Sequence, residues 1–93
     1  MDLKINIGDF VYSNKSIKPG LVVNKNILNN EFLISIDEYN GDYIWIQYAN
    51  LDPVNLESEE KLSIIANFGS WFYDQHKEIY QEILIENLQH YII

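Results

Sequence analysis

Asp74, Glu78, Glu82, Glu86 and His90 recur every four residues towards the end of the chain. On one continuous helix that spacing stacks them into a slowly winding ridge about 24 Å long, at ~1.5 Å of rise per residue. Like charges four residues apart cost a few tenths of a kcal/mol per pair, a small penalty that nothing in helix formation requires. The ridge is either an ordinary solvated face or an acidic surface that meets a protein with a basic one. Binding of the second kind is steered by charge and weakened by salt.

Aromatic chemistry is concentrated at Tyr43 and Trp45. Together with Phe10 or Tyr12 they would make a recess able to hold a cation, a peptide or a stacked base. The competing reading is that this face is the seat of the C-terminal helices. His76 and His90 are too far apart to share a metal on one helix, where ligands sit three or four residues apart. Glu86 and His90 have that spacing, but two ligands do not make a site, so neither a metal nor a cofactor is expected. His76 reads as a core-edge residue. There is no Cys to act as a nucleophile, no GxSxG, Walker or dinucleotide glycine pattern, and no base beside Gly69-Ser70 in sequence. An enzyme is not expected.

The chain of 93 residues fits one domain, and its 47% hydrophobic content is ample for a core. Residues 1–54 carry four Lys against seven Asp and Glu, and residues 55–93 carry two against seven, within a net charge of −8. Arg is absent, so the bidentate fork that grips phosphate or guanine is missing. Lys15, Lys18 and Lys25, even if clustered, would give only a shallow salt slope on DNA or RNA, and nucleic acid is not the expected partner. The absence of Cys fits a reducing compartment. Met1-Asp2-Leu3-Lys4 does not begin a signal peptide, and no apolar run approaches the ~20 residues of a membrane span. These features lead us to expect a soluble, cytoplasmic protein. The Asn, Ile and Lys usage suits an AT-rich bacterial or phage genome.

The elements that must position these residues begin with Ile5, Ile7 and Phe10-Val11-Tyr12, read as one strand with a bulge at Gly8-Asp9. Lys18-Pro19-Gly20-Leu21 reads as a type II turn and Leu21-Val22-Val23 as the next strand, ending by Leu28, before a turn at Asn29-Asn30. Glu31 to Asp37 alternates as a strand with one buried face, and so does Tyr43 to Tyr48. A two-residue turn at Asn40-Gly41 would mix the faces of these two strands. A three-residue loop, Tyr39-Asn40-Gly41, pairs Ile36 with Ile44, Ile34 with Ile46 and Phe32 with Tyr48 instead. Tyr48-Ala49-Asn50-Leu51 reads as a short helical turn, and Asp52-Pro53-Val54 as an edge strand.

Ile7-Gly8-Asp9-Phe10-Val11-Tyr12, Pro19-Gly20-Leu21-Val22-Val23, Tyr43-Ile44-Trp45-Ile46 and Leu51-Asp52-Pro53-Val54 follow one another as in small SH3-like barrels. Over residues 3–54 the chain resembles the KOW and Tudor type of these barrels. The resemblance implies a fold more than a function, because such barrels bind proteins, RNA, DNA and methylated side chains. The basic, Arg-containing loops of nucleic-acid-binding members are missing here.

Beyond residue 55 the pattern is helical. Ser58, followed by Glu59 and Glu60, reads as an N-cap; Leu62, Ile65 and Phe68 keep helical spacing, and Gly69 reads as a C-terminal cap. From Ser70 an apolar stripe runs through Phe72, Ile79, Tyr80, Ile83, Leu84, Leu88 and Tyr91. The expected architecture is α+β: a small SH3-like β-barrel of about five short antiparallel strands, then one kinked or two C-terminal helices. Residues 1–93 form a single domain in this reading, with 1–54 as the barrel and 55–93 as a helical extension packed on it or on a partner. The surplus apolar turns, Trp71-Phe72-Tyr73 among them, suggest a homodimer or another partner on the last helix. The expected function is non-enzymatic protein binding, by an accessory or inhibitory protein, phage-like in composition. Tyr43, Trp45, Asp74, Glu78, Glu82 and Glu86 would carry the contact. The alternatives are a nucleic-acid- or ribosome-associated barrel and an aromatic pocket for a small ligand.

Overall fold

The computed structural model describes residues 4–36 and 43–89. Strands β1 (Phe10–Ser13), β2 (Ser16–Asn26), β3 (Glu31–Ser35), β4 (Tyr43–Gln47) and β5 (Leu51–Val54) precede helices α1 (Ser58–Ala66), α2 (Trp71–Gln75) and α3 (Lys77–Gln89). The α+β class is as expected. The strands form one antiparallel sheet in the order β4-β3-β2-β1-β5. It is open: β4 and β5 each have a strand on one side only, where the sequence led us to expect a closed barrel. Among the described residues no helix is long and apolar enough to cross a membrane.

The longest strand, β2, shows how local chemistry sets the sheet. Pro19 and Gly20 lie inside it, not in a turn, with Gly20 opposite Val11. The reversal comes earlier, at Asn14-Lys15, where Ser13 faces Ser16. Glycine is needed at position 20 for close approach: a Cβ there would lie 2.5 Å from Ile34 Cγ2 and 2.8 Å from Ile36 Cγ2. Register shifts at Val11/Ser13 and at Val22/Asn24 mark bulges that bend this long strand. Ile5 and Ile7 do not extend β1. The Asp9 N–H donates to Asn6 O, the Asn6 N–H donates to the Asp9 carboxylate, and Gly8 takes φ 99°, a turn that drops Ile5 into the core.

The two faces of the sheet bury separate cores. On one, Ile5, Val11, Val22, Phe32, Ile34, Ile46 and Leu51 pack together, drawing on all five strands and on no helix. On the other, Phe10, Leu21 and Val23 meet Ile65, Phe68, Phe72, Ile79 and Ile83 of the helical segment. Burial of a large apolar side chain is worth about 1.5–3 kcal/mol. The exposed Lys61–Glu86 ion pair, at 3.0 Å, adds at most ~1 kcal/mol. That pair joins α1 to α3; the helices are held to the sheet by the apolar contacts of this second core. β3 and β4 pair Ile34 with Ile44 and Phe32 with Ile46, two residues from the register the sequence suggested. The three-residue loop behind that register lies outside the described residues.

The described residues form three helices, where one or two were expected. Gly69 does take a positive φ, 98°, and separates α1 from α2. The second break is at His76 (φ −131°, ψ 52°), whose N–H donates to Phe72 O while its own carbonyl accepts from the Tyr80 N–H. Ser58 does not cap α1 with its side chain; it is buried, and its hydroxyl donates to Asn87 Oδ1 on α3 at 2.9 Å.

Candidate functional site

β4 presents Tyr43 and Trp45 on the sheet face that receives the helices, because strand residues two apart share a face. The neighbour of Trp45 on that face, Leu33, packs into the sheet–helix core. Tyr43 reaches the helices: its ring lies 5.6 Å from Trp71 and 5.8 Å from His76, both edge-on, and its hydroxyl is hydrogen-bonded to His76 Nε2 at 2.7 Å. His76 also stacks obliquely on Phe72 at 4.9 Å, so three aromatic rings surround the imidazole. Trp45 lies apart from this cluster and is 44% exposed.

Desolvation by partial burial lowers the pKa of His76 and raises that of Tyr43. Both effects favour a neutral imidazole bonded to a neutral phenol. With Nε2 occupied in this way, His76 serves as a structural link. This fits the core-edge place expected for it.

The expected recess of Tyr43, Trp45, Phe10 and Tyr12 does not form. Phe10 is 2% exposed under the helices, and Tyr12 lies on β1, which β2 and β3 separate from β4. The lysines do not gather either. Lys15 and Lys18 flank the β1–β2 reversal, and Lys25 is roughly 20 Å further along β2 at ~3.3 Å per residue.

The continuous acidic ridge is also absent. Asp74 belongs to α2, and the break at His76 precedes Glu78. Asp74 and Glu78 instead line a cleft of about 390 Å³ around the joint, with Ile7, Val23, His76 and Ile79. Glu86 is bound to Lys61, and Glu82 is exposed on α3; His90 lies outside the described residues. Among the described residues no group of three His, Cys, Asp or Glu is placed to hold a metal ion.

One contact escaped the sequence reading, and one residue was placed on the wrong face. Trp71 pairs with Tyr43, a contact between residues far apart in the chain that no local pattern announces. Leu88, expected on the same apolar stripe as Ile79 and Ile83, is exposed instead and forms an apolar pair with Ile85 on α3, 57% and 54% accessible. A helical projection could have found these two, because they lie roughly half a turn from the buried Ile79 and Ile83. Comparison of the chain with protein-family models, with curated proteins and with solved structures gives no match.

Proposed function

We propose that this is a non-enzymatic binding protein, an accessory or inhibitory module that engages a larger protein through a basic surface on that partner. The observation that carries the reading is the outer face of α3, where exposed Ile85 and Leu88 stand beside exposed Glu78 and Glu82. An apolar centre with a charged rim is the usual anatomy of a protein contact. The net charge of −8 would draw a basic partner towards it. In the same reading the sheet is of the SH3-like type. That assignment is supported by β1 lying between β2 and β5, by the 3-10 turn Tyr48–Asn50 leading into β5, and by a core built from every strand.

The test is capture from lysate at low salt by wild type and by the double variant Ile85→Lys/Leu88→Lys. The reading requires that wild type retain a basic protein that the variant and high salt both release. Retention of the same proteins by both, or of none by either, overturns it. Sedimentation of wild type as a dimer that the double variant dissolves would assign the face to a second copy instead.

A further inference from the structure

The two edges of the sheet are not alike. β5 carries Asp52 and Pro53. A proline offers no N–H to an incoming strand and an edge charge discourages pairing, so both keep a sheet from recruiting stray chains. β4 is Tyr43-Ile44-Trp45-Ile46-Gln47, with no proline, glycine or charge and no bulge in its register with β3.

The direction of its backbone groups follows from one hydrogen bond. The Tyr48 N–H donates to Asn30 O at 2.8 Å, one step beyond the Glu31/Gln47 pair. Hydrogen-bonded and non-hydrogen-bonded pairs alternate along an antiparallel ladder. Ile46 and Ile44 therefore bond across to Phe32 and Ile34, and Tyr43, Trp45 and Gln47 turn their N–H and C=O groups outward. Among the described residues no strand lies on that side, and no backbone hydrogen bond outside the ladders reaches it.

We propose that the β4 edge binds an extended, basic segment of a partner protein, which adds to the sheet as a further strand. Main-chain pairing at an open edge supplies the affinity in this mode, and side chains beside the edge supply the choice of partner. Trp45, 44% exposed next to the edge, offers its ring to a Lys or Arg of the incoming segment. Charge decides against a second copy: two chains of −8 repel, and a basic segment is attracted. The sign of the partner rests on the function proposed above; the location on β4 does not.

The probe is a fluorescent, capped peptide of alternating Lys and Val, about nine residues long, the upper range of a natural strand. Its fully N-methylated counterpart keeps the charges and side chains but has no backbone donors. Gln47 has φ −63°, which suits proline, and its N–H faces outward, so Gln47→Pro removes an edge donor without breaking the ladder. Trp45→Lys charges the same edge and serves if the proline variant fails to fold.

Wild type should bind the unmodified peptide, and methylation or either substitution should weaken binding about five- to tenfold, the worth of a lost hydrogen bond or two. Equal binding of both peptides, or wild-type affinity in both variants, overturns strand addition and leaves the basic-partner reading standing. Binding of neither peptide also overturns strand addition, and the α3 double variant then decides the broader reading alone. A wild-type dimer that Gln47→Pro makes monomeric would assign the edge to a second copy and overturn the proposal.

Discussion

The Tyr43 hydroxyl and His76 Nε2 are hydrogen-bonded across 2.7 Å, tying the edge strand β4 to the joint between α2 and α3. Partial burial desolvates the imidazole and lowers the His76 pKa. The unfolded chain then binds the proton better than the folded one between the lowered pKa and the ordinary value of about 6.5. Stability from this group is complete above about 6.5 and declines as pH falls through that window. Urea unfolding of wild type and His76→Gln should show a wild-type advantage that is largest near neutrality and shrinks on acidification. A difference independent of pH would refute this account of the joint.

Ser58 and Asn87 join the first turn of α1 to the last turns of α3 through a bond whose donor is 1% exposed. Removing one partner of such a bond costs about 1–2 kcal/mol. Ser58→Ala and Asn87→Ala should each destabilise by that order, and the double variant should lose less than their sum by about 1 kcal/mol. Strict additivity in the cycle would show that Ser58 and Asn87 are not coupled.

What the sequence disclosed and what it hid differ by the kind of information involved. Alternation put Phe32, Ile34, Ile44 and Ile46 on one face correctly, yet paired Ile34 with Ile46 where the sheet pairs it with Ile44. A slip of two residues preserves every face, so a period of two cannot detect it. Pro19-Gly20 looked like a turn because local chemistry allows one there; the close approach of Ile34 and Ile36, which demands glycine, is a long-range fact. The helical break at His76 has neither Gly nor Pro to announce it, so the four-residue spacing of Asp74 and Glu78 seemed continuous. The helix around Leu62, Ile65 and Phe68, the edge strand at Asp52-Pro53 and the positive φ at Gly69 were all local, and all were legible.

Gly20→Ala should be among the costliest single methyl additions in the chain. The new Cβ would meet Ile34 Cγ2 at 2.5 Å, Ile36 Cγ2 at 2.8 Å and Ser35 O at 3.0 Å. Ile34 is fully buried and has no free space to retreat into. Overpacking of this kind costs typically ~1–3 kcal/mol, and denaturant unfolding should show an unfolding free energy lower by that amount. An unfolding free energy within ~0.5 kcal/mol of wild type would mean that Pro19-Gly20 sits at a looser place than a ladder position between β1 and β3.

Ser35 gives the opposite sign from a substitution of the same type as Ser58→Ala. It is fully buried between Leu21 and Tyr43, and its hydroxyl has no hydrogen-bond partner among the described residues. A buried hydroxyl without a partner carries a desolvation cost of about 1–3 kcal/mol that nothing repays, and alanine removes the oxygen while leaving only a small void. Ser35→Ala should therefore leave stability unchanged or raise it by up to about 1 kcal/mol, against the loss expected at Ser58. The pair contrasts a bonded with an unbonded buried oxygen, and thermal unfolding of both variants reads the difference. A loss at Ser35 as large as the one at Ser58 would show that its hydroxyl is bonded in solution.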